Sequence, residues 1–289
     1  MQTVFIWPNS AKEKIGDAIA ETCTVLRDLG ARVVLPWEMQ ELGLSLDAVT
    51  YAPQSEGVAA CDFIVSLGGD GTILRIAELA AIYEKPLIGV NLGHVGFMTE
   101  LEHGELEKIG KILAGQYCME NRMMLDLVVQ RNSRTLYEQT ALNDVVLAKT
   151  NPFRVVRVEV RADGVPVMSF LGDGAIIATP TGSTAYSLAA GGPVIEPSAE
   201  NLSVTPVCAH DLRAKAFVFA PEREISVAAS STDGIGICVA ADGRSGVELL
   251  PGDRVIVRKS RRVTRLIRVK GRSFYHILRE KLSNGGAGA

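Results

Sequence analysis

Four short stretches of this chain concentrate residues that can do chemistry. The first, SLGGDGTILR (66–75), sets one carboxylate, Asp70, among Gly68, Gly69, Gly71 and Thr72. Three glycines in four residues cost backbone entropy, which suits a sharp turn or close access of a ligand to the backbone. An apolar run, DFIVSL, precedes the cluster and a helix-patterned run, TILRIAELAAIYE, follows it. A glycine loop between a strand and a helix offers free N–H groups and a partial positive charge, both suited to phosphate. The loop lacks the GK[ST] ending of a Walker A sequence and the spacing of GxGxxG. Beside bound phosphate, Asp70 is placed to accept the proton of an attacking hydroxyl or to help hold Mg2+. An Asp-Gly turn with Asp70 capping the helix explains the same residues without a ligand.

The other three stretches lie downstream. NLGHVGFMTE (91–100) is a second glycine-marked loop at a strand's end, with His94 read as a loop-bracing donor. ALNDVVLAK (141–149) places Asn143 and Asp144 side by side. LGDGAIIATPTGSTAYSLAAGGPVIEP (171–197) combines glycines with the hydroxyls of Thr179, Thr181, Ser183, Thr184, Tyr186 and Ser187. Such a density of small hydroxyls makes a poor core and a good polar cradle.

The elements that must position these residues fall into two halves. In the first, TVFIW, ARVVLP, DFIVSL and PLIGV read as strands. Between them lie a helix over 10–29, with Ser10 as N-cap and Ala18, Ile19, Cys23 and Leu26 near one face, and a second helix after the glycine cluster. This is the βαβ rhythm of a doubly wound, mostly parallel sheet. Residues 38–58 are less regular. From Met124 the chain alternates with period two, TLYEQTALNDVVLAK among its runs, which predicts an antiparallel all-β region. SFYHILREKL reads as a closing helix that returns to the first domain. The expected division is an α/β domain over 1–122, with 273–289 packing on it, and an all-β domain over 123–272.

Composition narrows the function classes. The chain has 289 residues, 47% hydrophobic and 22% charged, with net charge −3, a balance that does not suggest a nucleic-acid binder. The basic run RVIVRKSRRVTRLIRVKGR (254–272) reads as two strands with outward Arg, since no aromatic residues interleave it. No apolar run reaches membrane-spanning length, and the start lacks the features of a signal peptide. Five scattered cysteines without a CxxC predict reduced thiols and a cytoplasmic protein.

Taken together and in order, GGDGT, NxGHxGF, LND, GDGxxxxTPTGSTAYSLxAGGP, ADGR and FYxxLREKL resemble the ATP-dependent NAD kinase family over about 66–282. GGDGT alone is shared with lipid kinases; the TPTGSTAYSLAAGGP run is specific. The resemblance implies an α/β N-terminal domain and an all-β, NAD-binding C-terminal domain. It implies transfer of the ATP γ-phosphoryl group to the 2′-hydroxyl of the adenosine ribose of NAD, with Mg2+ or another divalent cation accompanying ATP, in a homodimer or homotetramer. Asp70 matches the catalytic acid. Gly68, Gly69, Gly71 and Thr72 match phosphate-holding positions, and Arg75 is placed either to neutralise phosphate or to sit on the surface. Phe97 matches an aromatic near the adenine, or else is a core residue. Asn143 and Asp144 match the pair that contacts the dinucleotide. Asp173 matches an acid that reaches the nucleotide of a neighbouring subunit, with a hairpin turn as its alternative. Thr181, Ser183, Thr184, Ala185 and Tyr186 match the adenine and ribose surroundings. The chain departs from the common pattern at Leu92, at Arg244 and in AHDLRAKAF (209–217), which bears on contacts to ATP and to the nicotinamide half. Two other readings stand beside this one: a lipid kinase, which would need a different third loop, and a non-catalytic dinucleotide sensor.

Overall fold

The computed structural model describes residues 1–12, 15–93, 96–230, 236–271 and 273–284; His94 lies outside them. The chain divides into two compact units, Met1–Asn121 with Thr264–Ala289, and Arg122–Val263. In chain order the elements are β1 (Thr3–Pro8), α1 (Ile15–Asp28), β2 (Arg32–Pro36), β3 (Val49–Ala52), α2 (Gln54–Ala60), β4 (Phe63–Gly68), α3 (Asp70–Ile82), β5 (Leu87–Asn91), β6 (Leu101–Glu102) and α4 (Ile109–Leu113). They continue with β7 (Cys118–Arg131), β8 (Arg134–Ala141), β9 (Asp144–Lys149), β10 (Val156–Ala162), β11 (Val165–Gly172), β12 (Gly174–Ala178), α5 (Tyr186–Ala189) and β13 (Leu202–Val207). Last come β14 (Phe217–Phe219), β15 (Ile225–Ser230), β16 (Ile237–Ala241), β17 (Val247–Leu249), β18 (Arg254–Arg268) and α6 (Phe274–Asn284).

The first unit is the expected parallel sheet, ordered β3-β2-β1-β4-β5. Strands β4 and β5 are buried along their whole length, as parallel strands covered on both faces must be. Helix α1 buries Ile15, Ala18, Ile19, Thr22, Cys23 and Leu26, one stripe at helical spacing. Helix α3 does the same with Thr72, Ile73, Ile76, Ala77, Ala80 and Ala81. Strand order reverses between β1 and β4, and a ligand crevice is expected at the carboxyl ends of the strands beside such a reversal. GGDGT follows β4 at that edge. The end of β18 adds Leu266 opposite Leu87 of β5, and α6 places Phe274 against Phe97, ring centroids 6.0 Å apart.

The second unit is antiparallel throughout. One sheet runs β14-β13-β12-β9-β16-β17; elsewhere β11, β10, β15 and β18 pair in that order, and β7 pairs with β8. Alternating residues fill its core, Met123, Leu125, Leu127 and Val129 from β7 and Val156, Val158 and Val160 from β10, the period-two signature of strands with one buried face.

Several expectations need correction. Residues 10–12 form a turn, with the Lys12 N–H donating to Asn9 O at 3.1 Å, so Ser10 does not cap α1. The irregular 38–58 stretch holds a 3-10 turn (Trp37–Leu42), edge strand β3 and the start of α2. The run TLYEQTALNDVVLAK is two strands, β8 and β9, with a corner at Leu142 and Asn143. The basic run is mostly one strand, β18, and several of its basic side chains find carboxylates: Arg258 pairs with Glu224, Lys259 with Glu200 and Arg265 with Glu84. The chain re-enters the first unit at Thr264, inside β18, earlier than the expected boundary at 272.

Candidate functional site

In the first unit the chemistry collects at the carboxyl ends of β4 and β5. Gly69 is the N-cap of α3 and makes no side-chain cap. Asp70 is the first helical residue, and its carboxylate turns away from the helix. Oδ2 accepts the Phe97 N–H at 2.7 Å; Oδ1 accepts those of Met98 at 2.9 Å and Thr99 at 3.3 Å. The helix-capping alternative is therefore not what the residue does. A carboxylate has about four lone-pair sites, and three are taken by backbone donors. The remaining one, on Oδ2, is free to accept a proton from an incoming hydroxyl.

Glycine is required at two positions around this carboxylate. A Cβ at Gly96 would collide with Asp70 Oδ1 and lie 2.6 Å from its Cγ. A Cβ at Gly68 would collide with Thr72 Oγ1. Gly69 and Gly71 differ, because a Cβ at either meets nothing within 4 Å. Nothing described in the chain needs their bareness, and what it leaves is open backbone at a helix start. There the N–H groups of Asp70 and Gly71 lack helical partners, while that of Thr72 donates to Gly69 O at 2.9 Å. Thr72 Oγ1 is buried without a hydrogen-bond partner among the described residues, the state of a hydroxyl waiting for one. Arg75 is exposed one turn further along α3. Phe97 is half-buried, with Phe274 on its ring and Lys281 Nζ 5.0 Å from its centroid.

In the second unit the corner between β8 and β9 is held from a distance. The Asp242 carboxylate accepts the N–H groups of Leu142 at 2.7 Å, Asn143 at 2.8 Å and Asp144 at 3.1 Å. Thr179 braces the same corner: its Oγ1 donates to Leu142 O at 2.6 Å, and its N–H to Asn143 O at 2.9 Å. A Cβ at Gly182 would collide with Asn143 O and lie 2.5 Å from its carbonyl carbon, so the TPTGST turn packs directly on the corner. Asn143 Oδ1 is left buried without a partner among the described residues.

Burial, then the charge of Asp242, pushes the Asp144 carboxyl up to about 7, and burial raises Asp242 as well. Between about pH 4 and pH 7 the folded chain keeps a proton on Asp144 that the unfolded chain has released. Stability is therefore lost from this group as pH rises through that window, up to about 4 kcal/mol for a shift of this size. We expect Asp144→Asn to gain on the wild type as pH rises from 5 to 8, read as the difference in urea midpoints. A constant difference across that range would contradict the assignment.

The remaining sequence-predicted residues divide. Thr181 is buried and accepts from Arg122 Nη1 at 3.2 Å. Thr184 donates to Thr181 O at 3.1 Å. Ser183 is fully buried, donating to Pro180 O at 2.7 Å and accepting from the Ile195 N–H at 2.9 Å. Its hydroxyl staples the loop from inside. Ala185 joins the 3-10 turn to α5. Tyr186 is 48% exposed and lines a groove of about 300 Å³ with Asp173 and Lys149. Asp173 is separated from this corner: β12 lies between it and Thr179, about 20 Å at the usual rise per strand residue. There Asp173 Oδ1 pairs with Lys149 at 2.6 Å.

Among the described residues no group of three or more His, Cys, Asp or Glu is placed to hold a metal ion. No helix there is long and apolar enough to cross a membrane.

The order and content of these two clusters find their match in one family. The ATP-NAD kinase N-terminal domain matches residues 9–118, and the ATP-NAD kinase C-terminal domain matches 142–269. An NAD kinase of Moorella thermoacetica is 38% identical over 288 residues, 99% of this chain and 91% of that one. The chain belongs to the ATP-NAD kinase family. An NAD kinase of Symbiobacterium thermophilum is 42% identical over 233 residues, 80% of this chain and 82% of the relative. Among solved structures, an Archaeoglobus fulgidus NAD kinase in complex with ATP has a TM-score of 0.74 at 28% identity, covering 98% of this chain and 99% of that one. A yeast NADH kinase complexed with NADH shares the fold, with a TM-score of 0.87 at 23% identity, covering 100% of this chain and 89% of that one.

Two features of the site have no local signal in the sequence. The amides of 97–99 carry no side-chain signal. Gly96, in NxGHxGF, marks the close approach. The task of Asp242, in ADGR, emerges only from its contacts to residues 142–144.

Proposed function

We propose that this family member is an NAD kinase, transferring the γ-phosphoryl group of ATP to the 2′-hydroxyl of the adenosine ribose of NAD to give NADP. The observation that carries the reading is the Asp70 carboxylate, pinned by three amides with one lone pair left, at the glycine start of α3. In this reading the 2′-hydroxyl gives its proton to Asp70 Oδ2 as the new O–P bond forms. The bond from the γ-phosphorus to the bridging oxygen breaks, and ADP leaves. Backbone N–H groups of Gly69 and Gly71 and the Thr72 hydroxyl hold phosphate oxygens, with Arg75 adding charge. Asn143 and Asp144 take the dinucleotide, the carboxylate accepting from a ribose diol and the amide both donating and accepting. Thr181, Thr184 and Ala185 form the wall beside them, and Phe97 borders the adenine. Tyr186 and Asp173 serve from the groove they share. A divalent cation bound to ATP would neutralise its phosphates.

This reading makes the protein a phosphotransferase with an alcohol acceptor, working in the cytoplasm as a homodimer or homotetramer. The cysteines 23, 61, 118, 208 and 238 are all free, in keeping with a reducing compartment.

The test is a steady-state assay of purified protein with ATP, Mg2+ and NAD, coupled to an NADP-specific dehydrogenase. Sustained NADP formation is expected. A protein that binds NAD and forms no NADP would be a dinucleotide sensor, and the kinase reading would fall.

A further inference from the structure

The segment that pins Asp70 is itself gripped from behind. Arg268, the last residue of β18, sends Nη1 to Met98 O at 3.0 Å and Nη2 to Phe97 O at 3.5 Å. These carbonyls belong to the same peptide units whose N–H groups, on Met98 and Thr99, point at Asp70 Oδ1. Two peptide groups thus stand between a guanidinium and a carboxylate, each accepting from one and donating to the other. A cation drawing on the carbonyl makes the N–H of that peptide a stronger donor.

The guanidinium is fixed in turn. Its Nε donates to Glu120 at 2.5 Å, and Nη1 also reaches Glu100 at 3.2 Å. The Glu100 side chain is 3% exposed, and its other oxygen accepts the N–H groups of Val269 at 2.8 Å and Lys270 at 2.6 Å. The brace is specific to this residue, since elsewhere on β18 Arg258 and Arg265 make exposed ion pairs, of the kind worth little to stability.

We propose that Arg268 is a positioning residue for Asp70, holding the 97–99 amides so that the carboxylate keeps one lone pair turned to the acceptor hydroxyl. The proposal rests on the kinase reading for its catalytic consequence but not for the brace itself. Lysine keeps the charge, yet its single ammonium lacks the planar fork that serves two carbonyls and two carboxylates together.

The experiment compares wild type, Arg268→Lys, Glu120→Gln and the control Arg265→Ala. It measures kcat, both KM values and the backbone amide resonances of Phe97, Met98 and Thr99. In Arg268→Lys we expect the Met98 and Thr99 amide protons to move upfield and exchange faster, with Phe97 as the neighbouring reference. We expect kcat to fall about 10- to 100-fold, less than removal of a general base, with both KM values within about threefold. Glu120→Gln gives the same split more weakly and serves if Arg268→Lys does not fold; Arg265→Ala changes neither readout. Unmoved amides would overturn the brace. Moved amides with kcat unchanged would overturn its role in positioning. If the wild type forms no NADP, the kinase reading fails and the positioning role with it, while the amides still decide the brace.

Discussion

Asp70→Asn is expected to lower kcat by about 10²- to 10⁴-fold, the usual worth of a positioned general base, while NAD still binds. Asparagine keeps the shape of the side chain and loses its basicity. It also places an NH2 where one carboxylate oxygen now faces a backbone N–H, so one contact with the 97–99 amides turns repulsive. If the amide group sits as the carboxylate does, with its oxygen in place of Oδ1, the contacts to Met98 and Thr99 survive and the Phe97 N–H loses its acceptor. The stability loss is then about 1–3 kcal/mol, one unsatisfied donor, which a thermal melt would separate from the catalytic loss. Gly96→Ala offers a route to the same defect without touching the acid, because its Cβ and the carboxylate cannot share the space. A kcat for Asp70→Asn within tenfold of wild type would remove Asp70 from the role of base.

Asp242→Ala carries the second large effect, and it acts at the other cluster. One side chain satisfies three consecutive backbone N–H groups, from residues about a hundred positions earlier in the chain. Its removal leaves these donors without their acceptor, a loss of about 3–5 kcal/mol on the scale of one to three per buried unsatisfied group, partly offset by relief of the buried charge. The corner then no longer holds Asn143 and Asp144 in place. NAD affinity should fall about 10- to 100-fold, the worth of one charge-assisted hydrogen bond to a ribose diol. Urea unfolding and calorimetric titration with NAD read the two losses separately. An unchanged Kd in a destabilised variant would mean that Asp144 and Asn143 do not touch the dinucleotide.

Local pattern carried much of this far. Strand β4, the glycine loop and α3 follow from an apolar run, a glycine cluster and a stripe at helical spacing, all within twenty residues. The closing helix and the change to period two near residue 120 were legible for the same reason. The break between β8 and β9 was not, because Leu142 and Asn143 continue the run and the acceptor that bends it, Asp242, lies far along the chain. The burial of Ser183 was not legible, because a hydroxyl in a polar loop looks the same in sequence whether it faces a ligand or staples the turn. Arg268 was hidden in a basic run in which Arg258 and Arg265 make exposed ion pairs, and only tertiary contacts distinguish it. Asp70 is legible as an acid near phosphate, but nothing local reveals that its grip comes from amides 27–29 residues away.

The most direct test of the central claim is a single turnover of enzyme with ATP carrying a labelled γ-phosphoryl group, Mg2+ and NAD, followed by phosphorus NMR of the product. Label appearing on the 2′-oxygen of the adenosine ribose, in step with ADP and abolished on this timescale in Asp70→Asn, is the predicted result. Label released as inorganic phosphate, placed on another hydroxyl, or transferred equally fast by Asp70→Asn would contradict it.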